Sequence, residues 1–227
     1  MKKNERKFPT SKIKKGKFIV LEGGEGSGKG VCQKYLKEKL ADKNNIIWTR
    51  EPGATQFGLK LREALLHGVE KRSVRAELLT FCADRANHCD LSIRPDLEEG
   101  KIVICDRFDP STIAYQIYGH EHQDFAKTFK KINSIAKGSG SKWEIKPDLV
   151  IYLDIDPKIG LARAKARPDE NTIFDNAELG FHQRVRRGYL DQYNTYKHHN
   201  WIKINASLSE EKVKEKVWQA VKKLLKI

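Results

Sequence analysis

A glycine-rich segment that ends in a lysine and a further glycine is the part of this 227-residue chain that points most directly to chemistry. Glycines let successive backbone N–H groups surround a phosphate chain, and a lysine adds a mobile positive charge. The spacing fits the phosphate-binding P-loop, G-x-x-x-x-G-K-[ST], except that glycine replaces the final Ser or Thr. We therefore expect the segment to bind the phosphates of a nucleoside triphosphate. Its residues are Gly23, Gly24, Glu25, Gly26, Ser27, Gly28, Lys29 and Gly30.

The elements on either side of this loop are those that a P-loop requires. Lys17 to Glu22 has the pattern of a buried strand, and residues 31–40 have the pattern of a helix. The N-terminus of that helix would direct its positive end at the bound phosphates. A glycine-rich turn that binds nothing is the structural alternative. Because strand, loop, lysine and helix stand in the required order, the binding interpretation is favoured.

Apolar, β-branched runs alternate with helical patterns along the chain, which predicts an α/β fold with a parallel sheet flanked by helices. The length suits one sizeable domain, which we expect to span residues 17–227. The predicted strands are 18–21, 46–49, 102–105, 149–153 and 201–204. The predicted helices lie near 29–41, 55–66, 73–98, 110–136, 157–166 and 175–197, with a last helix from about residue 209.

Further charged, polar and aromatic side chains follow the predicted strands or lie on the helices beside them, where open α/β sheets bind their ligands. Taken singly, each arginine could form a surface ion pair, the aromatic side chain could belong to the core, and the last basic cluster could be a solvated helix end. Together with a P-loop, however, arginines at several strand ends are what phosphoryl transfer between two phosphorylated molecules requires. These side chains are Arg50, Phe81, Arg85, Asp106, Arg107, Tyr115, Gln116, Arg163, Lys165 and Arg167.

Six segments of the chain, taken in order, resemble the thymidylate kinase (dTMP kinase) family. They read FIVLEGGEGSGK, TREPG, LLTFCADRANH, VICDRF, STIAYQ and FHQRVRRGYL, and the resemblance runs from about Lys17 to Tyr193. It implies a three-layer P-loop nucleoside monophosphate kinase fold with a small lid. It also implies the reaction ATP + dTMP → ADP + dTDP, a step of dTTP biosynthesis, with Mg²⁺ as cofactor and a homodimer as the assembly.

The resemblance assigns phosphate-binding roles to individual residues. Lys29 and the loop backbone would hold the phosphates of ATP. Glu25 would contact the nucleoside monophosphate near its sugar hydroxyl. Arg50 and Arg107 match the arginines that bind the acceptor phosphate.

The base pocket is assigned in the same way. Phe81 would stack on the thymine ring while Arg85 hydrogen-bonds its edge, and their i, i+4 spacing puts both side chains on one helix face. Tyr115 and Gln116 would line the same pocket.

Catalytic positive charge must come from outside the P-loop, because no Arg or Lys stands between Gly23 and Gly28. This is similar to the bacterial subtype of the family, whose lid supplies the arginines. Here the lid would span about residues 163–175 and supply Arg163 and Arg167. The expected catalytic residues are then Lys29, Arg107, Arg163 and Arg167.

Three positions depart from the family pattern. Gly30 lacks the hydroxyl that ligates magnesium, so Asp106, at the end of the third predicted strand, is the carboxylate expected to help hold the ion. The lid reads Thr172 to Asp175, one arginine poorer than usual, and Ala54 stands where a second glycine is common. Two alternatives therefore stay open: a kinase for another pyrimidine nucleotide, and a catalytically weak, nucleotide-binding pseudokinase.

Positive charge is concentrated near the N-terminus. Residues 1–17 hold eight Lys or Arg and one acid, and so supply +7 of the net charge of +14. We expect residues 1–16 to form a disordered basic arm, and contact of this arm with nucleic acid is the less favoured interpretation. The remaining charge suits an enzyme whose substrates are polyanions.

No apolar run approaches the roughly 18 residues of a membrane span, and the basic N-terminus lacks the apolar stretch of a signal peptide. We therefore expect no membrane partner and a cytoplasmic location. The cysteines show no C-x-x-C pairing and are expected to be reduced and buried. They are Cys32, Cys82, Cys89 and Cys105.

Overall fold

The computed structural model describes residues 16–67, 72–139, 144–166 and 172–227. Within these ranges five strands form one parallel sheet, and each lies within two residues of its predicted bounds, so the strand prediction is confirmed. The strands are β1 (Lys17–Gly23), β2 (Ile46–Arg50), β3 (Ile102–Asp106), β4 (Leu149–Asp154) and β5 (Trp201–Asn205).

Helices connect the strands. The described α-helices are α1 (Lys29–Lys39), α2 (Gln56–Leu66), α3 (Val74–His88), α4 (Arg94–Glu98), α5 (Asp109–Thr112), α6 (Ala126–Ala136), α7 (Pro157–Lys165), α8 (Leu179–Tyr196) and α9 (Glu210–Leu225). Two π-helical turns, Cys89–Ile93 and Ile113–Gly119, follow α3 and α5, and a 3₁₀ turn, Gln123–Phe125, precedes α6.

The strand order, β2-β3-β1-β4-β5, determines where a ligand can bind. The connection that leaves β1 goes to β2 on one side of the sheet, whereas the connection that leaves β4 goes to β5 on the other. The carboxyl ends of these neighbouring strands therefore flank a topological switch point, where open parallel sheets bind their ligands. The P-loop follows β1 directly and lies at that point.

Alternate residues of β1 face two separate cores, one on each face of the sheet. Phe18 and Val20 pack with α8 and the two π-helical turns, whereas Ile19 and Leu21 pack with α1 and α9. All four side chains are fully buried. A central parallel strand is covered on both faces, which explains its nearly continuous apolar sequence. The domain therefore has three layers, helix, sheet and helix, as the α/β prediction requires.

The prediction of one helix over 110–136 is wrong. The π-helical turn after α5 ends at Gly119, and α6 begins only at Ala126. Glu121 between them has a left-handed backbone with φ of 60°. Gly119 packs so closely on Phe181 of α8 that a Cβ at this glycine would lie 2.6 Å from the ring. The close approach of α8 and the left-handed turn end the helix here.

The predicted start of a helix at residue 175 is also too early, because α8 begins at Leu179 and residues 172–177 form turns. At the other end of the chain, Gly16 belongs to the fold rather than to the arm: it is buried and its N–H donates to Leu97 O at 2.8 Å. The expected arm, residues 1–15, otherwise lies outside the described residues. All four cysteines are free and buried. In the described part of the chain, no helix combines the length and apolar character needed to cross a membrane.

Candidate active site

A cavity of about 710 Å³ lies at the carboxyl ends of the strands. The P-loop, the residues that follow β2, β3 and β5, and side chains of α2, α3, α7 and α9 form its wall. Arg167 and the middle of the expected lid, residues 167–171, lie outside the described residues. The wall brings together the candidate residues Glu25, Gly26, Ser27, Gly28, Lys29, Gly30, Arg50, Phe81, Arg85, Asp106, Arg107, Tyr115, Gln116 and Arg163.

The P-loop has the backbone conformation that close wrapping around a phosphate needs. Gly26 and Gly28 have φ of 64° and 87°, in the left-handed region that favours glycine. Gly26 also lies against Gly160 of α7, where an added Cβ would overlap the carbonyl oxygen of Gly160. The loop therefore passes too close to α7 for any side chain at Gly26.

Lys29 holds its ammonium group on carbonyl groups at the start of the loop. Nζ donates to Gly23 O at 3.0 Å and to Gly24 O at 3.3 Å, which places these two residues of the candidate set in contact with the lysine. Burial lowers the pKa of Lys29, and the nearby Arg107 lowers it further. A phosphate chain in the loop would favour the charged lysine, because an adjacent opposite charge stabilises the ionised form.

Gly30 faces open space at the start of α1. The residue is exposed, and a Cβ added to it would meet nothing within 4 Å. Glycine at this position is therefore not required by packing, and a larger side chain would fit.

Among the described candidate residues, Asp106 has the chemistry to hold a magnesium ion. Its Oδ1 is buried and has no hydrogen-bond partner among the described residues. It lines the same cavity as Lys29 and Gly30. Mg²⁺ in phosphoryl-transfer sites is commonly held by one or two carboxylates together with substrate phosphates and water. An unpaired, buried carboxylate oxygen beside a phosphate-binding loop agrees with that donor set.

Arg107 connects the P-loop to the opposite wall of the cavity. Its φ of 68° is uncommon for a residue with a Cβ, and such backbone conformations cluster at functional sites. The guanidinium donates to Gly23 O at 3.0 Å, to Glu25 Oε1 at 2.9 Å and to Tyr115 OH at 3.1 Å. One arginine thus contacts both the loop expected to bind the donor phosphates and the pocket expected to bind the acceptor.

Glu25 is an anion in this site. Burial by itself would raise the pKa of Glu25, but Arg107 and Lys29 outweigh burial and lower the pKa to about 2. Tyr115 OH donates to the same Oε1 atom at 2.7 Å. The carboxylate therefore stays ionised at neutral pH and keeps Arg107 against the loop.

Glu22, which the sequence analysis did not single out, supports the same arginine. Its fully buried carboxylate accepts hydrogen bonds from Phe108 N at 2.8 Å, Ser111 Oγ at 2.7 Å and Tyr189 OH at 2.9 Å. The two hydroxyls accept in turn from Arg107 Nη1, at 3.2 Å and 3.3 Å. Burial raises the pKa of Glu22 to about 7, against the lowering effect of Arg107. An acid at the end of an otherwise apolar strand was the signal in the sequence.

Arg85 is almost completely buried and held on three sides. Nε donates to Glu51 Oε2 at 2.9 Å, Nη1 to Asn133 Oδ1 at 3.0 Å and Nη2 to Thr112 Oγ1 at 2.9 Å. Its guanidinium also lies 5.3 Å from the centre of the Phe108 ring. These partners hold the guanidinium in one position, because moving it would take its cationic partner from the buried Glu51 carboxylate. The three partners lie in a loop and two different helices. Glu51 and Thr112 belong to segments that resemble the family, but nothing in the sequence identified any of the three as a partner of Arg85.

Gln116 and Phe81 complete this part of the wall. Phe81 lies one turn before Arg85 on α3, and both line the cavity. Gln116 is 1% exposed, and its Nε2 donates to Glu77 Oε1 at 2.8 Å. The structure thus brings together the three side chains to which the resemblance gives contacts with the base, and their roles stay predictions.

A second arginine, Arg62 of α2, lies with Arg50 in the cavity wall. Arg50 is exposed at the end of β2, and Arg62, which was missed in the sequence, donates from Nη1 to Pro52 O at 3.0 Å. Burial lowers the pKa of Arg62, and Arg50 lowers it further, as expected for two cations that face the same space. The region around Arg50, Arg62 and Arg107 therefore favours an anion.

The two described ends of the expected lid border the cavity. Arg163 is exposed on α7, and its Nη1 donates to Ala206 O, beyond β5, at 2.9 Å. After the undescribed segment, Thr172 donates from N and Oγ1 to Asp175 Oδ2, both at 2.8 Å, and both residues line the cavity. The catalytic role of Arg163 and Arg167 stays a prediction.

Comparisons with known proteins agree with these features. The thymidylate kinase family model matches residues 21–217. The thymidylate kinase of Aster yellows witches'-broom phytoplasma (strain AYWB) is 42% identical over 213 residues, covering 92% of this chain and 99% of the relative. That of Trichodesmium erythraeum (strain IMS101) is 40% identical and covers 89% and 93%.

A solved structure gives the same result for the fold. The crystal structure of thymidylate kinase from Ehrlichia chaffeensis has a TM-score of 0.72 and 29% identity to this chain, covering 92% of this chain and 99% of that one. This chain belongs to the thymidylate kinase family.

Proposed function

We propose that this chain transfers the γ-phosphoryl group of ATP to dTMP, which yields ADP and dTDP for dTTP synthesis. The observation that carries the proposal is the position of Arg107, which donates to Gly23 and Glu25 of the P-loop and to Tyr115 of the neighbouring pocket. A donor loop and an acceptor pocket thus share one cavity. The relatives at about 40% identity are named for this activity.

For phosphoryl transfer, the protein mainly has to position two anions and to balance their charge. The P-loop and Lys29 would bind the phosphates of ATP. Arg50, Arg62 and Arg107 would bind the phosphate of dTMP, whose oxygen attacks the γ-phosphorus in line while ADP leaves. Holding both groups in place replaces a collision in water by a reaction within one complex. No covalent enzyme intermediate is needed.

Magnesium bound with ATP would neutralise part of the charge on the phosphates. Asp106 would hold the ion, because its buried Oδ1 has no partner among the described residues. Gly30 has no side chain with which to ligate it. The ion would therefore depend on Asp106, phosphate oxygens and water.

The lid would supply the remaining positive charge. Arg163 lines the cavity, and Arg167 belongs to the segment that follows it. Closure of such a segment over bound substrates excludes water and so suppresses ATP hydrolysis.

Neither alternative function is favoured. A protein that only binds nucleotides would not need a second pocket in which Arg85 is held by Glu51, Asn133 and Thr112. A kinase for a cytosine nucleotide would need a pocket edge with different hydrogen-bond donors and acceptors, whereas a uracil nucleotide presents the same edge as dTMP and is compared with it directly in the substrate panel.

A substrate panel tests the proposal. Release of ADP is measured with dTMP, dUMP, dCMP, dGMP and AMP as acceptors, and dTMP should give the highest kcat/KM. Lys29→Met serves as the control for contaminating kinases and should lose the activity. The proposal is wrong if no acceptor stimulates ADP release, or if another acceptor is preferred.

We also propose that two copies of the chain associate, as the family resemblance implies. The adjacent helices α2 and α3 expose Phe57, Leu59 and Leu79, which are 50%, 42% and 52% exposed. Exposed large apolar side chains on two adjacent helices offer a surface that a second copy could cover. Sedimentation equilibrium should give a dimer, and Leu79→Glu should shift it to monomer. Leu91→Glu, at a residue 68% exposed on a π-helical turn, is the matched control.

A further inference from the structure

We propose that Glu77 determines which pyrimidine base the acceptor pocket takes, by fixing the orientation of the Gln116 side-chain amide. The inference rests on the proposed function, because it takes Gln116 as part of the wall that meets the base. Glu77 itself is a positioning residue: it is 6% exposed and stands in the first turn of α3, whereas Gln116 lines the cavity.

The hydrogen bond between the two side chains allows one orientation of the amide. A glutamate carboxylate accepts hydrogen bonds and donates none, so the NH₂ end of Gln116 must face it. Gln116 Nε2 lies 2.8 Å from Glu77 Oε1. Two further donors surround the carboxylate, with Arg72 Nη2 at 3.9 Å from Oε2 and His120 Nε2 at 3.7 Å from Oε1. Because Nε2 points at Glu77, the carbonyl oxygen of the amide points away from Glu77.

That orientation leaves the carbonyl oxygen as the end of the Gln116 amide that is free to meet a ligand in the cavity, and the proposal takes it as the acceptor that would face N3 of the base. Thymine and uracil carry a hydrogen on N3, which can donate to the Gln116 carbonyl. Cytosine carries a lone pair on N3, so two acceptors would face each other. The amide could suit cytosine only by rotating, which would break the 2.8 Å hydrogen bond to Glu77 and turn the amide carbonyl oxygen towards the carboxylate, so that two acceptors face each other.

Arg85 favours the same bases. Its guanidinium lines the cavity and presents donors, which suit the carbonyl at C4 of thymine and oppose the amino group at C4 of cytosine. Since Glu51, Asn133 and Thr112 hold this group in place, it cannot adapt to cytosine. If the Gln116 amide alone becomes free to rotate, the preference for thymine over cytosine should therefore decrease only in part.

Glu77→Gln tests the inference with little change in shape. A glutamine at position 77 can accept from Gln116 or donate to it, so both orientations of the Gln116 amide become allowed. We expect the ratio of kcat/KM for dTMP to kcat/KM for dCMP to fall about tenfold, mainly through a gain for dCMP. The ratio for dTMP against dUMP should stay unchanged, because both bases carry N3–H. Glu63→Gln, the same change at an exposed residue of α2, should leave both ratios as in the wild type.

Gln116→Leu provides a second test that does not depend on the folding of the first variant. Loss of the amide should reduce kcat/KM for dTMP. The value for dCMP should not fall, because the Gln116 carbonyl oxygen no longer faces the lone pair on N3 of cytosine. Glu77 does not select the base if either variant folds and lowers kcat/KM for dTMP and for dCMP by the same factor, so that their ratio stays as in the wild type. If the wild type itself shows no dTMP-dependent ADP release, the proposed function fails instead, so the two failures are distinguishable.

Discussion

The end of the cavity around Arg85 and Arg107, where we propose that the acceptor binds, differs in construction from the end around Gly30 and Arg163, the proposed donor end. Arg85 is 1% exposed and donates to three side chains from three elements. At the donor end, Gly30 and Arg163 are exposed, and the space around Gly30 is open. A buried cation needs fixed partners, whereas an exposed one is solvated and can move. The acceptor end is therefore built before substrate binds, and the donor end would be completed by ATP, its ion and the lid.

Apart from Lys29→Met, which should abolish the activity, the largest effect of a single change is expected at the acceptor end, from Arg107→Met. We expect kcat/KM for dTMP to fall about 10³-fold or more, because the acceptor phosphate loses a cation and Glu25 keeps a charge without its partner. Arg187→Met on α8 is the matched control, since that side chain is 78% exposed. Steady-state rates of both variants measure the loss, and their melting temperatures show whether each variant is folded. A loss below tenfold would mean that Arg107 does not act on the phosphates.

The lid arginines should give the next largest effect, and mainly on kcat. Arg163→Ala or Arg167→Ala, whichever matters more, should lower kcat by about 10²-fold or more, because charge that develops in the transition state loses its partner. KM for dTMP should change little, since the hydrogen bonds described for Arg85 and Arg107 do not involve Arg163. Lys165→Ala, at an exposed position between them, is the control. Near-normal kcat in both arginine variants would require another source of positive charge.

Comparison of the same two regions shows what the sequence could predict. Strand bounds and the residues at strand ends follow from local patterns, because apolar runs mark buried parallel strands and topology puts their carboxyl ends together. The P-loop, Arg50, Asp106 and Arg107 were found in this way. The break between Gly119 and Ala126 was not found, because it depends on the approach of α8.

The partners that hold the acceptor end were beyond local patterns for the same reason. Asn133 meets Arg85 across 48 residues of sequence, and Tyr189 meets Glu22 across 167. Neither residue stands in a pattern with its partner, so only the fold brings them together. A buried polar network is therefore the part of such a site that sequence reasoning misses.

Glu22 should make the stability of the acceptor end depend on pH. Its pKa in the folded chain is raised to about 7, from a usual 4.5, so the folded state holds this proton more tightly than the unfolded state. Between about pH 4.5 and 7, the Glu22 contribution to the free energy of unfolding therefore falls as pH rises, by up to about 3 kcal/mol. Glu22→Gln cannot titrate and should lack this part of the slope. Denaturant unfolding of both proteins from pH 4.5 to 8 measures it, and parallel curves would contradict the assignment.

Gly30→Thr should sharpen the description of the donor end. A hydroxyl at this position is a direct magnesium ligand in P-loop enzymes, and the open space around Gly30 admits the side chain. We expect a lower magnesium concentration at half-maximal rate, and a kcat that is unchanged or raised. Gly30→Ala separates ligation from helix propensity, because it should stabilise α1 by about 1 kcal/mol without moving the magnesium curve. If threonine leaves that curve unmoved, another group already compensates for Gly30.

The smallest effect is expected from removal of residues 2–15, most of the segment expected to form the basic arm. These residues precede β1 and lack apolar periodicity, so they should contribute little to the core. Activity and melting temperature should stay nearly as in the full chain, while any salt-sensitive binding to DNA or RNA weakens. A truncation that also removes Gly16 is the matched comparison: it deletes the hydrogen bond from Gly16 N to Leu97 O and should cost about 1 kcal/mol. If the shorter truncation already lowers the melting temperature by several degrees, the arm packs on the domain and contributes to its stability.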